Sequence, residues 1–127
     1  MIETVNVLII EDDHFLSPLL KSRLEKDGLT VRQAFDGEEA LKILETVRPQ
    51  VVILDLIMPK VSGMELLETL SSDPQYHKIP VIIMSNLSQE SDVEKAKSLG
   101  AAGYFVKVHA SLDEVIKLVK ELMAKAG

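Results

Sequence analysis

The chain has 127 residues, 46% hydrophobic and 27% charged, which is the size and composition of one globular domain and excludes a fibrous or disordered protein. Its 14 Lys and Arg against 20 Asp and Glu give a net charge of -6, which argues against direct binding of DNA or RNA. The absence of Cys excludes a disulfide framework, a thiolate nucleophile and a Cys-ligated metal site.

Short apolar segments alternate along the chain with segments of helical periodicity. Strands are predicted at residues 5–10, 29–34, 51–54, 81–84 and 103–106. Most of them are rich in Val and Ile and lack strict polar alternation, which is typical of a parallel sheet covered on both faces. Five βα units in succession predict an α/β fold with right-handed crossovers and helices on both sides of the sheet.

Cap patterns predict where several helices begin and end. A cap residue followed three positions later by Glu, the capping-box pattern, occurs at Asp36, Ser62, Ser91 and Ser111. Gly28 and Gly100 are predicted to end helices because Gly adopts the left-handed conformation of a helix terminus. Arg48-Pro49 is predicted to end another helix, since Pro cannot continue one.

The sequence defines the last helix more clearly than the first. The first has two possible starts, because either Ser17 caps a helix that begins at Pro18 or a turn that starts near Asp13 is strained at Pro18. The last has one apolar stripe at steps of three and four residues, which predicts the face that packs on the sheet. The stripe consists of Leu112, Val115, Ile116, Val119 and Met123.

Polar residues follow the predicted strands at their carboxyl ends, where sites form in parallel α/β sheets. These residues are Glu11, Asp12, Asp13, Asp55, Ser85 and Lys107. Carboxylates gathered in one place repel one another unless a cation intervenes. Hard oxygen ligands suit Mg²⁺, so the pattern predicts a magnesium site at this edge of the sheet.

The same residue types fit phosphoryl transfer. Asp55 can act as a nucleophile toward phosphorus, Lys107 can pair with a carboxylate or a phosphoryl oxygen, and Ser85 can donate a hydrogen bond to that oxygen. Each residue alone also has an ordinary structural interpretation, as a cap, a turn residue or a surface lysine. The occurrence of all of them at successive strand ends favours the functional interpretation.

With these residues the chain resembles a receiver domain of the two-component response-regulator family, from about Val5 to Met123. The most specific element is the Asp-x-x-Met-Pro-x-x-x-Gly stretch that runs from Asp55 to Gly63. The resemblance implies a flavodoxin-like five-stranded parallel sheet in the order 2-1-3-4-5. It also implies a single receiver domain over residues 1–127, with no output domain present.

The resemblance assigns a role to each residue of the acidic group. Asp55 would be the phosphoacceptor. Mg²⁺ would be held by Asp55, by Asp12 directly, by Glu11 through water, and by the backbone carbonyl of Ile57. Asp13 lies one position beyond the acidic pair and is expected to cap the first helix.

The remaining roles concern the phosphoryl group and the response to it. Ser85 would bind a phosphoryl oxygen and Lys107 would pair with the phosphoryl group. Tyr104 matches the family's aromatic switch residue, and together with Ser85 it would respond to phosphorylation. The chain would then be a signalling switch whose only chemistry is its own phosphorylation and dephosphorylation, and it would not be a turnover enzyme.

The resemblance also implies partners. A sensor histidine kinase or a phosphotransfer protein would supply the phosphoryl group. A downstream protein would bind the face formed by the fourth helix, fifth strand and fifth helix, and the chain would be a monomer or a phosphorylation-dependent dimer. No apolar run approaches the ~20 residues of a membrane helix, and the N-terminus lacks the basic stretch of a signal peptide. We therefore expect a cytoplasmic protein without membrane contact.

Two features leave alternatives open. Val108 stands where the family usually has Pro, so we expect a trans Lys107–Val108 bond, because a non-proline cis bond costs about 2.5–4 kcal/mol. This departure allows a receiver-like interaction module that is not phosphorylated. An aspartate-nucleophile phosphatase is disfavoured because Ile57 stands where such enzymes place a second Asp, and a nucleotide-binding loop is absent from the sequence.

Overall fold

Five parallel strands and five helices alternate in the computed structural model, which describes residues 2–126. The strands are β1 (Glu3–Ile10), β2 (Val31–Ala34), β3 (Val47–Leu54), β4 (Val81–Ser85) and β5 (Gly103–Val106). The helices are α1 (Leu16–Lys26), α2 (Gly37–Leu44), α3 (Gly63–Ser72), α4 (Glu90–Ser98) and α5 (Leu112–Ala126). The predicted α/β fold of five βα units is confirmed.

The sheet has the order β2-β1-β3-β4-β5, as the resemblance implied. Its register aligns the carboxyl ends of the inner strands, because Ile10 of β1 pairs with Leu54 of β3, and Leu54 pairs with Ile83 of β4. The residues that follow these strands therefore meet at one edge of the sheet.

The core consists of one apolar layer on each face of the sheet. In the first, which we call the α2–α4 layer, buried side chains of α2, α3 and α4 pack on Leu8, Ile10, Val52, Leu54, Val81 and Ile83. In the second, the α1–α5 layer, side chains of α1 and α5 pack on Val7, Ile9, Val51, Ile53, Ile82 and Met84. All five members of the predicted α5 stripe belong to the α1–α5 layer.

The start of α1 follows the turn interpretation. The Oδ1 atom of Asp13 accepts hydrogen bonds from the backbone N–H groups of Phe15 at 2.8 Å and Leu16 at 3.1 Å. These bonds lower the pKa of the Asp13 carboxyl below its usual value. Pro18 lies in the first turn of α1, where a backbone N–H has no partner within the helix. Ser17 does not cap the helix, since its hydroxyl oxygen accepts a bond from Gln33.

The prediction that Arg48-Pro49 ends a helix is wrong, because both residues lie inside β3. Helix α2 ends earlier, at Leu44, and the side chain of Arg48 in β3 contacts this end of the helix. Its guanidinium donates a hydrogen bond to the carbonyl of Leu44 and lies 4.8 Å from the ring centre of Tyr76.

The prediction that Ser91 caps a helix is also wrong. Helix α4 begins at Glu90, so Ser91 lies within it, and its N-cap residue Gln89 makes no side-chain capping bond. The other cap predictions hold at Asp36, Ser62 and Ser111, whose side chains accept backbone bonds in the first turns of α2, α3 and α5. Gly28 and Gly100 end helices with φ of 83° and 93°.

The corrected cap assignment leads to a matched pair of variants. Asp36→Ala is expected to destabilise the chain by about 1 kcal/mol, because it removes the 2.8 Å bond from the Glu39 N–H. Ser91→Ala should change stability by less than about 0.5 kcal/mol, since Ser91 is an exposed helical residue. Urea denaturation of both variants measures the difference. Equal losses in the two would contradict the assignment.

Candidate functional site

Backbone hydrogen bonds extend beyond the strands and hold the site residues in place. The N–H of Asp55 donates to the carbonyl of Ile10, and the N–H of Glu11 donates to that of Ala34, both at 3.0 Å. The N–H of Lys107 donates to the carbonyl of Ser85, also at 3.0 Å. The side chains that follow β1, β3 and β5 are thus anchored at the carboxyl edge of the sheet, beside the last residue of β4.

Three carboxylates form an acidic cluster at this edge. One oxygen each of Glu11, Asp12 and Asp55 lies within 4.8 Å of the others. Glu11 and Asp55 are only 2% and 3% exposed, while Asp12 is half-buried. Three hard anionic oxygens at this spacing fit Mg²⁺, which binds carboxylates together with water. The fourth expected ligand, the carbonyl of Ile57, stays a prediction, although the Ile57 N–H donates to Oδ1 of Asp55 at 3.1 Å.

Lys107 joins two members of the acidic cluster. Its Nζ atom lies 2.7 Å from Oε1 of Glu11 and 3.0 Å from Oδ2 of Asp55. Burial alone would lower the pKa of this ammonium, but the bonds to Glu11 and Asp55 outweigh it and raise the pKa above the usual value. Lys107 is therefore charged and acts as the counter-ion of two buried carboxylates.

Burial has the opposite consequence for Glu11. Loss of solvent raises the pKa of its carboxyl to about 7, although the hydrogen bond to Lys107 opposes the rise. The negative charge of Asp55 raises the pKa further, while an N–H bond from Asp13 lowers it. Burial is thus the main reason that this carboxyl holds its proton more tightly than an exposed glutamate does.

This shift predicts a pH dependence that Glu11→Gln should remove. The pKa in the folded chain, about 7, lies above the ordinary 4.5, so folding favours the protonated carboxyl. The contribution of Glu11 to the free energy of unfolding is therefore largest below pH 4.5. It falls by at most about 3 kcal/mol as the pH rises to 7. Urea denaturation in EDTA across this range, with the exposed Glu25→Gln as control, measures the slope. A slope that persists in Glu11→Gln would contradict the assignment.

Ser85 and Tyr104 are linked through the backbone of Leu87. The hydroxyl of Ser85 is fully buried and accepts a hydrogen bond from the Leu87 N–H at 3.2 Å. The hydroxyl of Tyr104 donates to the Leu87 carbonyl at 2.6 Å. Sequence reasoning did not find this link, because it uses backbone atoms that no side-chain pattern reveals.

The loops beside the site have two notable features. No cis peptide bond occurs within residues 2–126, so the Lys107–Val108 bond is trans, as predicted, and Val108 is 73% exposed.

Gly63 at the start of α3 is buried, and a Cβ atom there would lie 2.1 Å from the carbonyl oxygen of Asp55. Helix α3 therefore approaches the end of β3 as closely as only glycine allows.

Comparison with known proteins gives one consistent result. The family model described as "Response regulator receiver domain" matches residues 7–120. The phosphate regulon transcriptional regulatory protein PhoB of Rhizobium meliloti is 33% identical over 120 residues, which cover 94% of this chain and 52% of the relative. The chemotaxis protein CheV3 of Helicobacter pylori is 33% identical over 125 residues, covering 89% of this chain and 40% of the relative. The chain spans about half the length of the curated relatives it matches.

Solved structures resemble this chain over nearly its whole length. The receiver domain of the Francisella response regulator 1452 superposes with a TM-score of 0.88 at 32% identity, covering 97% of this chain and 99% of that one. A receiver domain of a histidine kinase from Syntrophus aciditrophicus superposes with a TM-score of 0.86 at 30% identity, covering 95% and 91%. In residues 2–126, no helix combines the length and apolarity needed to cross a membrane.

Proposed function

The chain belongs to the family of response regulator receiver domains, and on that premise we propose that Asp55 accepts a phosphoryl group and thereby switches the partner-binding surface. One observation carries the proposal. The carboxylate of Asp55, which is almost fully buried, lies in a cluster of three carboxylates and pairs with Lys107 at 3.0 Å. This arrangement combines a nucleophile, a cation site and a positive charge for the transferred group.

The transfer is a displacement at phosphorus. An oxygen of Asp55 attacks the phosphorus of a phosphohistidine, the P–N bond breaks, and its electron pair stays on the imidazole nitrogen. Glu11, Asp12 and Asp55 would hold Mg²⁺, which supplies charge neutralisation when bound. Lys107 turns from Glu11 to a phosphoryl oxygen, and Ser85 donates its hydroxyl hydrogen to another.

The switch uses the link between Ser85 and Tyr104. When the Ser85 hydroxyl moves to the phosphoryl group, it leaves the Leu87 N–H, 3.2 Å away. Leu87 also accepts the Tyr104 hydroxyl bond, so the two side chains shift together. The change reaches the surface formed by α4, β5 and α5, where we expect the downstream protein to bind.

Partners and setting follow from the same proposal. A sensor histidine kinase or a phosphotransfer protein supplies the phosphoryl group in the cytoplasm. The chain acts as a receiver domain, as a monomer or a phosphorylation-dependent dimer, without contacting nucleic acid itself. Its only chemistry is its own phosphorylation and dephosphorylation, so it is a switch and has no separate substrate to turn over.

Mass spectrometry tests the proposal. Treatment with acetyl phosphate and Mg²⁺ should add about 80 Da, one phosphoryl group, and EDTA should prevent the addition. Asp55→Asn should gain no mass, whereas Asp13→Asn, a change in the turn that precedes α1, should react as the unaltered chain does. A chain that gains no mass under any of these conditions would favour an interaction module that is not phosphorylated.

A further inference from the structure

A cavity of about 340 Å³ lies between the carboxyl-terminal ends of α3 and α4, at the amino end of β4. Its size is at the lower end of the roughly 300–1,000 Å³ found for small-molecule sites. Val81 of β4 lines it, whereas Ser85 of the same strand belongs to the phosphorylation site. Ser85 lies four residues after Val81, roughly 13 Å along the strand, so the cavity is distinct from the acidic cluster.

Part of the cavity wall is aliphatic and well packed. It is formed by Leu67, Leu70, Ile79, Val81 and Leu99. Leu67, Leu70 and Val81 are at most 4% exposed and belong to the α2–α4 layer, so this wall is preformed. A ligand with a small apolar body gains by covering it, because apolar surface leaves water on both sides.

Three polar residues of the cavity wall carry hydroxyl groups, and each hydroxyl donates its hydrogen to a backbone carbonyl of the protein. Ser71 donates to the carbonyl of Glu68 and Ser98 to that of Lys95, at 3.2 and 2.7 Å. The hydroxyl of Tyr76 donates to the carbonyl of Leu44 at 3.1 Å.

The fourth polar residue of the wall, His77, follows the same pattern. Its Nδ1 lies 3.2 Å from the carbonyl oxygen of Pro74, which can only accept, so this nitrogen carries the hydrogen. With the Nδ1 hydrogen directed at Pro74, Nε2 is the ring nitrogen that is left to accept a hydrogen bond. All four polar side chains of the wall therefore offer acceptors, and a ligand must supply the donor.

The backbone favours the same kind of ligand. The last residues of two helices line the cavity, Ser71 near the end of α3 and Ser98 at the end of α4. The carboxyl-terminal end of a helix carries partial negative charge. Two such ends beside one cavity favour a cationic donor over a neutral or anionic group.

We propose that this cavity binds a small organic amine, an apolar body that carries a protonated amino group. The body covers the aliphatic wall, and the ammonium donates hydrogen bonds to the acceptors of the rim. Occupancy also adds contacts to α4, in which Ala96 is the buried residue, and so holds the carboxyl-terminal part of that helix in place.

An NMR titration with 2-phenylethylamine tests the proposal. The amide signals of Leu67, Ile79 and Leu99 should shift, with a dissociation constant on the order of millimolar, as befits a fragment of nine non-hydrogen atoms. Phenylacetate, with the same ring and a carboxylate, should bind at least tenfold more weakly at the same ionic strength. This comparison needs no altered protein.

Two variants locate the site. Ser98→Phe should fill the cavity mouth and weaken amine binding about tenfold or more, whereas Ser91→Phe, on the same helix but outside the cavity, should leave it unchanged. Equal binding of phenylacetate and the amine would overturn the proposal. So would shifts centred on Glu11, Asp12 and Asp55, which would mean general attraction of a cation to the acidic cluster.

Discussion

Lys107→Met is expected to slow the phosphorylation of Asp55 by acetyl phosphate by about 100-fold or more and, at the same time, to raise the affinity for Mg²⁺. The rate falls because the positive charge that stabilises the transferred group is lost. In the unaltered chain the Lys107 ammonium lies within 3.0 Å of two of the carboxylates that would hold the cation. Its removal takes away a competing positive charge, so the affinity for Mg²⁺ should rise by about tenfold or more.

Opposite changes in rate and affinity separate this role from general damage to the fold. Calorimetric titration with Mg²⁺ and mass-spectrometric rates measure the two quantities on the same samples. Lys120→Met is the matched control, since Lys120 pairs with Asp27 between α5 and α1 and should leave both unchanged. A weaker Mg²⁺ affinity in Lys107→Met would contradict the view that the ammonium and the metal compete for the same oxygens.

Gly63→Ala is expected to cost about 3 kcal/mol or more, enough to unfold much of the protein. The added Cβ would lie 2.1 Å from the carbonyl oxygen of Asp55 and 2.4 Å from Cα of Leu56. Both are backbone atoms that cannot rotate away, and the Asp55 N–H is bound to β1. Any chain that folds should carry a displaced Asp55 and react more slowly with acetyl phosphate.

Gly100→Ala supplies the control for this prediction. Gly100 has a φ of 93°, but no atom lies within 4 Å of its added Cβ. The substitution should therefore cost only about 1 kcal/mol, the strain of a left-handed backbone without a steric clash. Urea denaturation compares the two variants, and a Gly63→Ala protein as stable as Gly100→Ala would contradict the close approach of α3 to β3.

The positions of the site residues could be predicted because parallel strands place their carboxyl ends at one edge. Asp55 and Lys107 are 52 positions apart in the sequence, yet their side chains are hydrogen-bonded. The order of βα units and the turn residues Gly28 and Gly100 were equally accessible, since they depend on local periodicity and backbone conformation.

What could not be predicted depends on neighbours far along the chain. Pro49 follows a helical pattern, yet it lies in β3, and Arg48 beside it contacts the end of α2 and the ring of Tyr76. Ser91 satisfies a capping pattern, but α4 starts one residue earlier. In the site, the sequence left open whether Lys107 pairs with a carboxylate, and the structure shows that it pairs with two.

The sheet divides the core into two apolar layers, one on each of its faces. Alternate residues of β4 belong to different layers, Ile83 to the α2–α4 layer and Ile82 and Met84 to the α1–α5 layer. Tyr104 packs in the α2–α4 layer, which Ser85 also faces by strand alternation. The sheet thus works as a partition, and a local rearrangement on one side need not loosen the packing on the other.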